Sequence, residues 1–452
     1  MSLLEHVDQV HVVGIGGAGM SALASLLLEA GYRVTGSDLK ESAVMERLRL
    51  LGADVFLGHD GAYIQGAQLV AYSSAIAPTN VELVASRSHG VPTVSRAELL
   101  VALTEGREVI AISGTHGKTT TTSMIGLSLA QAGYNPSYVI GAELNEAGAS
   151  GHYGASELMV VEADESDGTF LKLTPALSVL TNVEPDHLDF YGDFDHLQQA
   201  FAQFALGSRL PPVLCIEDPF LARLATQMEC RSYGFSESAM FQIKNVSMSP
   251  MGSGFELFEH RKRLGSVELS VLGLHNILNA TAAIAAIGAF GVSLDEIAPS
   301  LSRYLGVARR FQHRRILDSV RIIDDYAHLP SELVSTIAAA RQLGARRVVA
   351  VFQPHRYSRT LAIAEELGEA LTGADVAIIT DVYAAGEEPI PGVSGEAVYA
   401  AARRVLGDRA YYCASRHELA QMVRALLEDD DVCLTLGAGD ITMLDTELAD
   451  AW

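Results

Sequence analysis

Short apolar runs alternate with stretches of helical period along most of this chain. The run QVHVV at 9–13 reads as a buried strand; a glycine turn and a helix over about 18–30 follow it. RVTG at 33–36 reads as a second strand, and further strand–helix units continue to about Val101, with apolar runs at 69–72 and 92–94. The stretch 104–107 reads as a linker. A second segment starts at Glu108, with strands at 109–112, 158–163, 177–181 and 213–216. Its region 241–269 alternates polar and apolar positions and predicts a small antiparallel patch, and a helix at 276–290 closes it. The third segment begins near Phe311, with strands at 321–324, 347–352, 376–380 and 432–436 and helices between them. Strands that alternate with helices predict an α/β fold with parallel, doubly wound sheets. No low-complexity segment or solenoid-period repeat interrupts the pattern.

The 452 residues predict roughly three domains, placed at 1–106, 107–310 and 311–452. The formal charge of −23 argues against nucleic acid, which needs a basic footprint, and against an anionic membrane surface. The stretches 9–28 and 269–294 carry no Asp, Glu, Lys or Arg. Glycines and polar residues break both, so each reads as strand, functional turn and buried helix rather than as a membrane span. The four scattered cysteines (Cys215, Cys230, Cys413, Cys433) have neither zinc nor redox spacing. Buried free thiols, the absence of a basic-then-apolar leader and the absence of a span predict a cytoplasmic protein without membrane insertion.

The strongest chemical signal is IAISGTHGKTTTTSM at 110–124. A strand runs into Gly114, Thr115, His116, Gly117, Lys118 and Thr119, and a helix follows. Backbone N–H groups in such a turn converge on phosphate, and the helix dipole adds to their pull. Lys118 would reach the β/γ-phosphates and Thr119 would hold Mg²⁺, with Thr120 next in the helix. The pattern is the short G-T-x-G-K-T form: the first glycine of the full P-loop motif would fall on Ile112. The turn predicts ATP or GTP binding.

A second glycine turn, Gly14 to Gly19, comprises Gly16, Gly17 and Ala18 and completes G-x-G-x-x-G; Asp38 ends the next strand where a ribose-binding acid sits. A nicotinamide cofactor and a nucleotide-diphosphate substrate fit it equally. Glu162, Asp164, Glu165 and Asp167 end another predicted strand and suggest a metal site, because Mg²⁺ takes a few carboxylates plus phosphates and waters. Asn182 and His187, in TNVEPDHLD, are placed to reach the same cluster. Asn276 and Asn279 share a helix face, where amides can read a base edge. Arg309 and Arg310 mark the junction of the second and third segments. Asp325 and His328 follow one strand of the third segment; His355, Arg356 and Arg359 follow the next and suit a carboxylate clamp.

In order, GIGGAGMSALA, GTHGKTTTT, VEADESDGTFL, TNVEPDHLD, HNILNA, RRFQ, DDYAHLPSE and QPHRYSRT resemble the Mur ligase family over essentially the whole chain. That resemblance implies three domains: a Rossmann-like UDP-binding domain, a central ATPase-type α/β domain and a Rossmann-like C-terminal domain. It implies ATP-dependent joining of L-alanine to UDP-N-acetylmuramate through an acyl phosphate, by a monomer or homodimer that uses Mg²⁺. The Gly14–Gly19 turn would then hold the UDP pyrophosphate, with Asp38, Ser73, Ser74 and Arg96 as further contacts. Lys118 and Thr119 would bind ATP phosphates and Mg²⁺, Glu162 and His187 would ligate the metal, and Asn276 and Asn279 would read adenine. Arg310, Asp325 and His328 would complete the ATP site, and His355, Arg356 and Arg359 would hold L-alanine. Several members carry a carbamylated lysine at the metal; the absence of lysine between Lys172 and Lys244 predicts that this device is missing here.

Overall fold

The computed structural model describes residues 3–73, 75–141 and 150–452; Ser74 therefore lies outside the described residues. The first sheet contains β1 (Gln9–Val13), β2 (Arg33–Asp38), β3 (Asp54–Leu57), β4 (Leu69–Tyr72) and β5 (Thr93–Ser95), in the order β3-β2-β1-β4-β5. All four of its pairings are parallel. The strand order reverses between β1 and β4, which opens a crevice at their carboxyl ends.

The second sheet contains β6 (Glu108–Ser113), β7 (Ser137–Val139), β8 (Gly151–His152), β9 (Leu158–Glu162), β10 (Leu177–Leu180), β11 (Val213–Cys215), β12 (Arg231–Gly234), β13 (Phe241–Ser249), β14 (Gly252–Glu259) and β15 (Lys262–Leu269). Its order is β15-β14-β13-β12-β11-β10-β6-β9-β7-β8. The predicted patch at 241–269 is thus no separate element: β13 pairs in parallel with β12 and carries the other two strands onto the sheet. The strand β6 lies between β9 and β10 and is parallel to both. The loops after these three strands therefore emerge side by side.

The third sheet contains β16 (Gln312–Leu317), β17 (Val320–Asp325), β18 (Val348–Phe352), β19 (Val376–Thr380), β20 (Ala410–Cys413) and β21 (Val432–Leu436), in the order β16-β17-β21-β18-β19-β20. Only its edge strand β16 runs antiparallel. Val348, Ala350 and Phe352 face one core, while Val349 and Val351 face another. Helices cover both faces, which is why this strand reads as an unbroken apolar run.

The chain divides into two compact units. One runs to Tyr304 except for 247–254 and 269–277; those two segments belong with Leu305–Trp452 in the other. Cys215, Cys230, Cys413 and Cys433 are free thiols. Among the described residues no helix is long and apolar enough to cross a membrane.

Candidate functional site: two phosphate-shaped turns and a histidine–arginine cluster

The cradle after β6 is shaped by its neighbours. Gly114 (φ 140°) leaves no room for a side chain, since a Cβ there would lie 2.1 Å from Thr181 Oγ1. Asn182 fixes the next peptide from both ends: its Oδ1 accepts the His116 N–H at 2.8 Å and its amide donates to the His116 carbonyl at 3.1 Å. The Asn182 carbonyl also accepts the Thr115 N–H. Asn182 thus shapes the cradle, a role the sequence reading had not given it. Gly117 (φ 80°) begins the helix Lys118–Gln131 without a side-chain cap, so the N–H groups of Lys118, Thr119 and Thr120 point out of the helix start. Asn279 stands against this turn: a Cβ on Gly117 would meet its Oδ1 at 2.5 Å, and the Thr121 hydroxyl donates to it at 3.3 Å.

The acidic run after β9 divides its work. Glu162 accepts the Thr119 hydroxyl at 3.1 Å and the Gly141 N–H at 2.7 Å. Asp164 accepts the Ser166 N–H, and Asp167 accepts the Thr169 N–H, so both stabilise their own loop. Glu165 is 2% exposed and takes the Lys118 ammonium at 2.9 Å. Lys118 also donates to the Gly114 carbonyl at 2.6 Å. Burial opposes the charge on Lys118, but Glu165, Asp164 and Glu162 hold its pKa above the ordinary value.

The carboxylate of Glu162 is pushed above its usual range by burial. A cation beside it would relieve that cost, and Thr119 with Glu162 supplies the hydroxyl-plus-carboxylate pair that Mg²⁺ accepts next to phosphate. His187 has φ 53° at the start of the short helix Leu188–Tyr191, and its Nε2 lies 3.4 Å from Asp186. No group of three or more His, Cys, Asp or Glu side chains that could hold a metal occurs among the described residues.

The N-terminal turn follows β1. The N–H groups of Gly14 and Ile15 donate to the Ser37 carbonyl, that of Gly17 to the Gly14 carbonyl, and that of Gly16 to Asp38 Oδ2 at 2.9 Å. Asp38 therefore braces the turn. The helix Ala18–Glu29 also begins without a side-chain cap, so the N–H groups of Ala18, Gly19 and Met20 are the ones offered to an anion. Ser73 follows β4 across the crevice, its Cβ 3.3 Å from a Cβ placed on Gly14. Arg96 lies along the same turn, where a Cβ on Gly19 would meet its Cδ at 3.0 Å. Its guanidinium is 3.7 Å from Asp164, so it links the N-terminal turn to the acidic loop beside the cradle.

The other unit gathers its own set. Arg309 donates to the carbonyls of Gly437 and Gly439 at 2.7 and 3.0 Å and lies over the Tyr326 ring, so it clamps the loop after β21. Arg310 lies over the same ring and reaches Glu332 at 3.3 Å. Glu332 also accepts the His328 N–H at 2.9 Å and joins Arg310 to His328, a connection the sequence reading missed. Asn276 lies within the helix Leu274–Gly288 rather than at its cap, and its amide donates to the Leu272 carbonyl at 2.7 Å. His328 packs edge-on against His355, with ring centres 5.8 Å apart, and the Tyr383 ring stacks on His355. Burial, with His328, Arg359 and Arg356 nearby, lowers the His355 pKa to about 3. His355 is thus neutral at pH 7, and the positive charge of this cluster comes from the arginines. Arg359 Nη1 lies 3.3 Å from His355 Nδ1, and Arg356 (φ 69°) lies 3.3 Å from Glu387.

Asp325 accepts the N–H groups of Phe311 at 2.6 Å and Ala327 at 2.8 Å. Burial raises its pKa to about 6, although Arg310 pulls the other way. A carboxyl whose folded-state pKa is raised contributes its stability in full below the unfolded value of about 4 and loses it as pH rises through the folded value. Asp325→Asn should remove this loss. The difference in urea midpoint between variant and wild type should therefore shift in favour of the variant as pH rises from 4 to 7; parallel pH curves would contradict the assignment.

Two turns shaped for phosphate, each at the carboxyl end of a strand paired in parallel on both sides and joined through Arg96 and Asp164, suit an enzyme that works on one nucleotide-linked substrate at the expense of a second nucleotide. Family models agree with that class: "Mur ligase family, catalytic domain" matches residues 9–108, "Mur ligase middle domain" matches 112–287, and "Mur ligase, glutamate ligase domain" matches 309–439. The chain belongs to the Mur ligase family. It is 43% identical to the UDP-N-acetylmuramate–L-alanine ligase of Pelotomaculum thermopropionicum, over 97% of this chain and 96% of that protein. It is 42% identical to the enzyme of the same name from Myxococcus xanthus, over 98% and 95%. Among solved structures, the UDP-N-acetylmuramate–alanine ligase of Thermotoga maritima superposes with a TM-score of 0.84 at 28% identity, covering 99% of both chains. A murein peptide ligase from Psychrobacter arcticus shares the fold, with a TM-score of 0.72 at 24% identity and 98% coverage of both chains.

Proposed function

We propose that this protein joins L-alanine to UDP-N-acetylmuramate with hydrolysis of ATP to ADP and phosphate, a step in the synthesis of peptidoglycan precursors. The observation that carries this reading is the pair of phosphate-shaped turns in a chain that aligns end to end with relatives of that name. The Ala18–Met20 N–H groups, with Ser73 and Arg96, receive the UDP diphosphate, and Asp38 braces the turn. ATP phosphates lie on the Lys118–Thr120 N–H groups, with Asn276 and Asn279 toward adenine. Thr119 and Glu162 would hold Mg²⁺, with His187 as a further ligand, and the ion would neutralise phosphate charge.

The muramoyl carboxylate attacks the γ-phosphorus and releases ADP, leaving an acyl phosphate. Lys118 stabilises the charge that builds on the transferring group; the family resemblance assigns Arg310, Asp325 and His328 to ATP as well. The alanine amine then attacks the acyl carbon and phosphate leaves. The Nδ1 of His328 lies 2.9 Å from the Tyr326 carbonyl. This contact fixes the Nδ1–H tautomer and makes Nε2 the basic nitrogen for the amine proton. Arg359 and Arg356 hold the alanine carboxylate, with His355 as a neutral partner.

The reading fits a division into domains at 1–106, 107–310 and 311–452 and a cytoplasmic location, where both nucleotides are found. Mass spectrometry of a reaction with UDP-N-acetylmuramate, ATP and L-alanine should show the alanyl product. A product only when a peptide replaces alanine would point instead to the peptide-adding branch of the family.

A further inference from the structure

Directly beneath the N-terminal turn lies a buried ionic cluster that the chemistry above does not use. His11 of β1, Ser37 of β2 and Glu82 of the helix Val81–His89 are all 0% exposed. Glu82 Oε2 accepts the Ser37 hydroxyl at 2.7 Å and lies 3.3 Å from His59 Nδ1 and 3.6 Å from His11 Nε2. Its other oxygen accepts the Asp60 N–H at 3.3 Å. His11 Nδ1 is tied to Thr35 Oγ1 at 2.7 Å. One carboxylate thus fastens β1, β2, the loop after β3 and a helix at a single point. That point connects directly to the turn, because the Ser37 carbonyl accepts the N–H groups of Gly14 at 2.8 Å and Ile15 at 3.0 Å.

We propose that Glu82 is a positioning residue for the UDP substrate: it holds Ser37, and through Ser37 the glycine turn, so that the start of the helix Ala18–Glu29 faces the diphosphate. Burying a carboxylate is costly, and well-packed apolar replacements of buried ion pairs are often no less stable. Stability alone is therefore a poor reason for this cluster, whereas fixing the direction of N–H groups at a phosphate site is a good one. Burial works to raise the Glu82 pKa, but His11 and Ser37 outweigh it and hold the group ionised. The inference rests on the reading of this turn as the UDP site.

The test is calorimetric titration of UDP-N-acetylmuramate, and separately of an ATP analogue, into the full-length wild type, Glu82→Gln, Ser37→Ala and the double variant. In Glu82→Gln the Kd for the UDP-sugar should rise about tenfold, corresponding to about 1.4 kcal/mol. In Ser37→Ala, which removes the contact outright, it should rise by at least as much. The double variant should bind no more weakly than the weaker of the two single variants, and the ATP-analogue Kd should hold throughout. An unchanged UDP-sugar Kd in folded Glu82→Gln, or an equal weakening of both ligands, overturns the proposal. If Glu82→Gln does not fold, Ser37→Ala decides by the same two readings. A wild type that binds ATP analogue but no UDP-sugar overturns the assignment of the turn itself, and this inference with it.

Discussion

Lys118→Ala is expected to lower kcat/KM about a hundredfold or more, equivalent to ~3 kcal/mol of transition-state stabilisation. Lys118 is the cation at the mouth of the cradle, held by the Gly114 carbonyl and Glu165 where it can turn to the phosphates. Its removal has a second consequence: Glu165, 2% exposed, loses its cation. An orphaned buried charge can cost as much as the chemistry it serves. The double variant Lys118→Ala/Glu165→Gln separates the two effects. It should recover the thermal stability lost in the single variant and recover none of the activity. Recovery of activity would mean that the lysine matters for folding rather than for phosphoryl transfer.

Arg359→Ala should raise the KM for L-alanine by at least about tenfold, the scale of one lost charge-assisted hydrogen bond, and leave the KM for ATP in place. Arg356→Ala should have a smaller effect in the same direction, because Arg356 already lies against Glu387. Glu387 accepts both the N–H and the hydroxyl of Ser358, in the first turn of the helix Tyr357–Ala370. It therefore holds the start of the helix, where both arginines sit. Equal rises in the KM for alanine and ATP would assign the cluster to structure instead. Initial rates with each substrate varied in turn distinguish the two.

Sequence pattern revealed the interior strands and the glycine turns, because both are local. The strands β4, β19 and β21 have the predicted bounds to the residue, since strands buried on both faces read as mostly apolar runs. The edge strand β16, with sequence QHRRIL, escaped notice because half-exposed edge positions carry charge. The patch at 241–269 was read correctly as strands, but its attachment to β12 depends on a parallel pairing that no local pattern signals. The site shows the same division. Gly114 to Thr119 is recognisable within one turn of chain. That Asn182 shapes this turn, that Glu165 rather than Glu162 pairs with Lys118, and that Glu332 joins Arg310 to His328 are contacts between distant residues. Four carboxylates within six residues suggested one metal site; the structure gives each a separate partner, and of the four Glu162 stands with Thr119.

The most direct test of the ligase reading is phosphate release from ATP by the purified protein, with UDP-N-acetylmuramate and L-alanine added singly and together. Sustained release should require both substrates and match the alanyl product mole for mole. Release that continues without either substrate, or that proceeds without product, would contradict it.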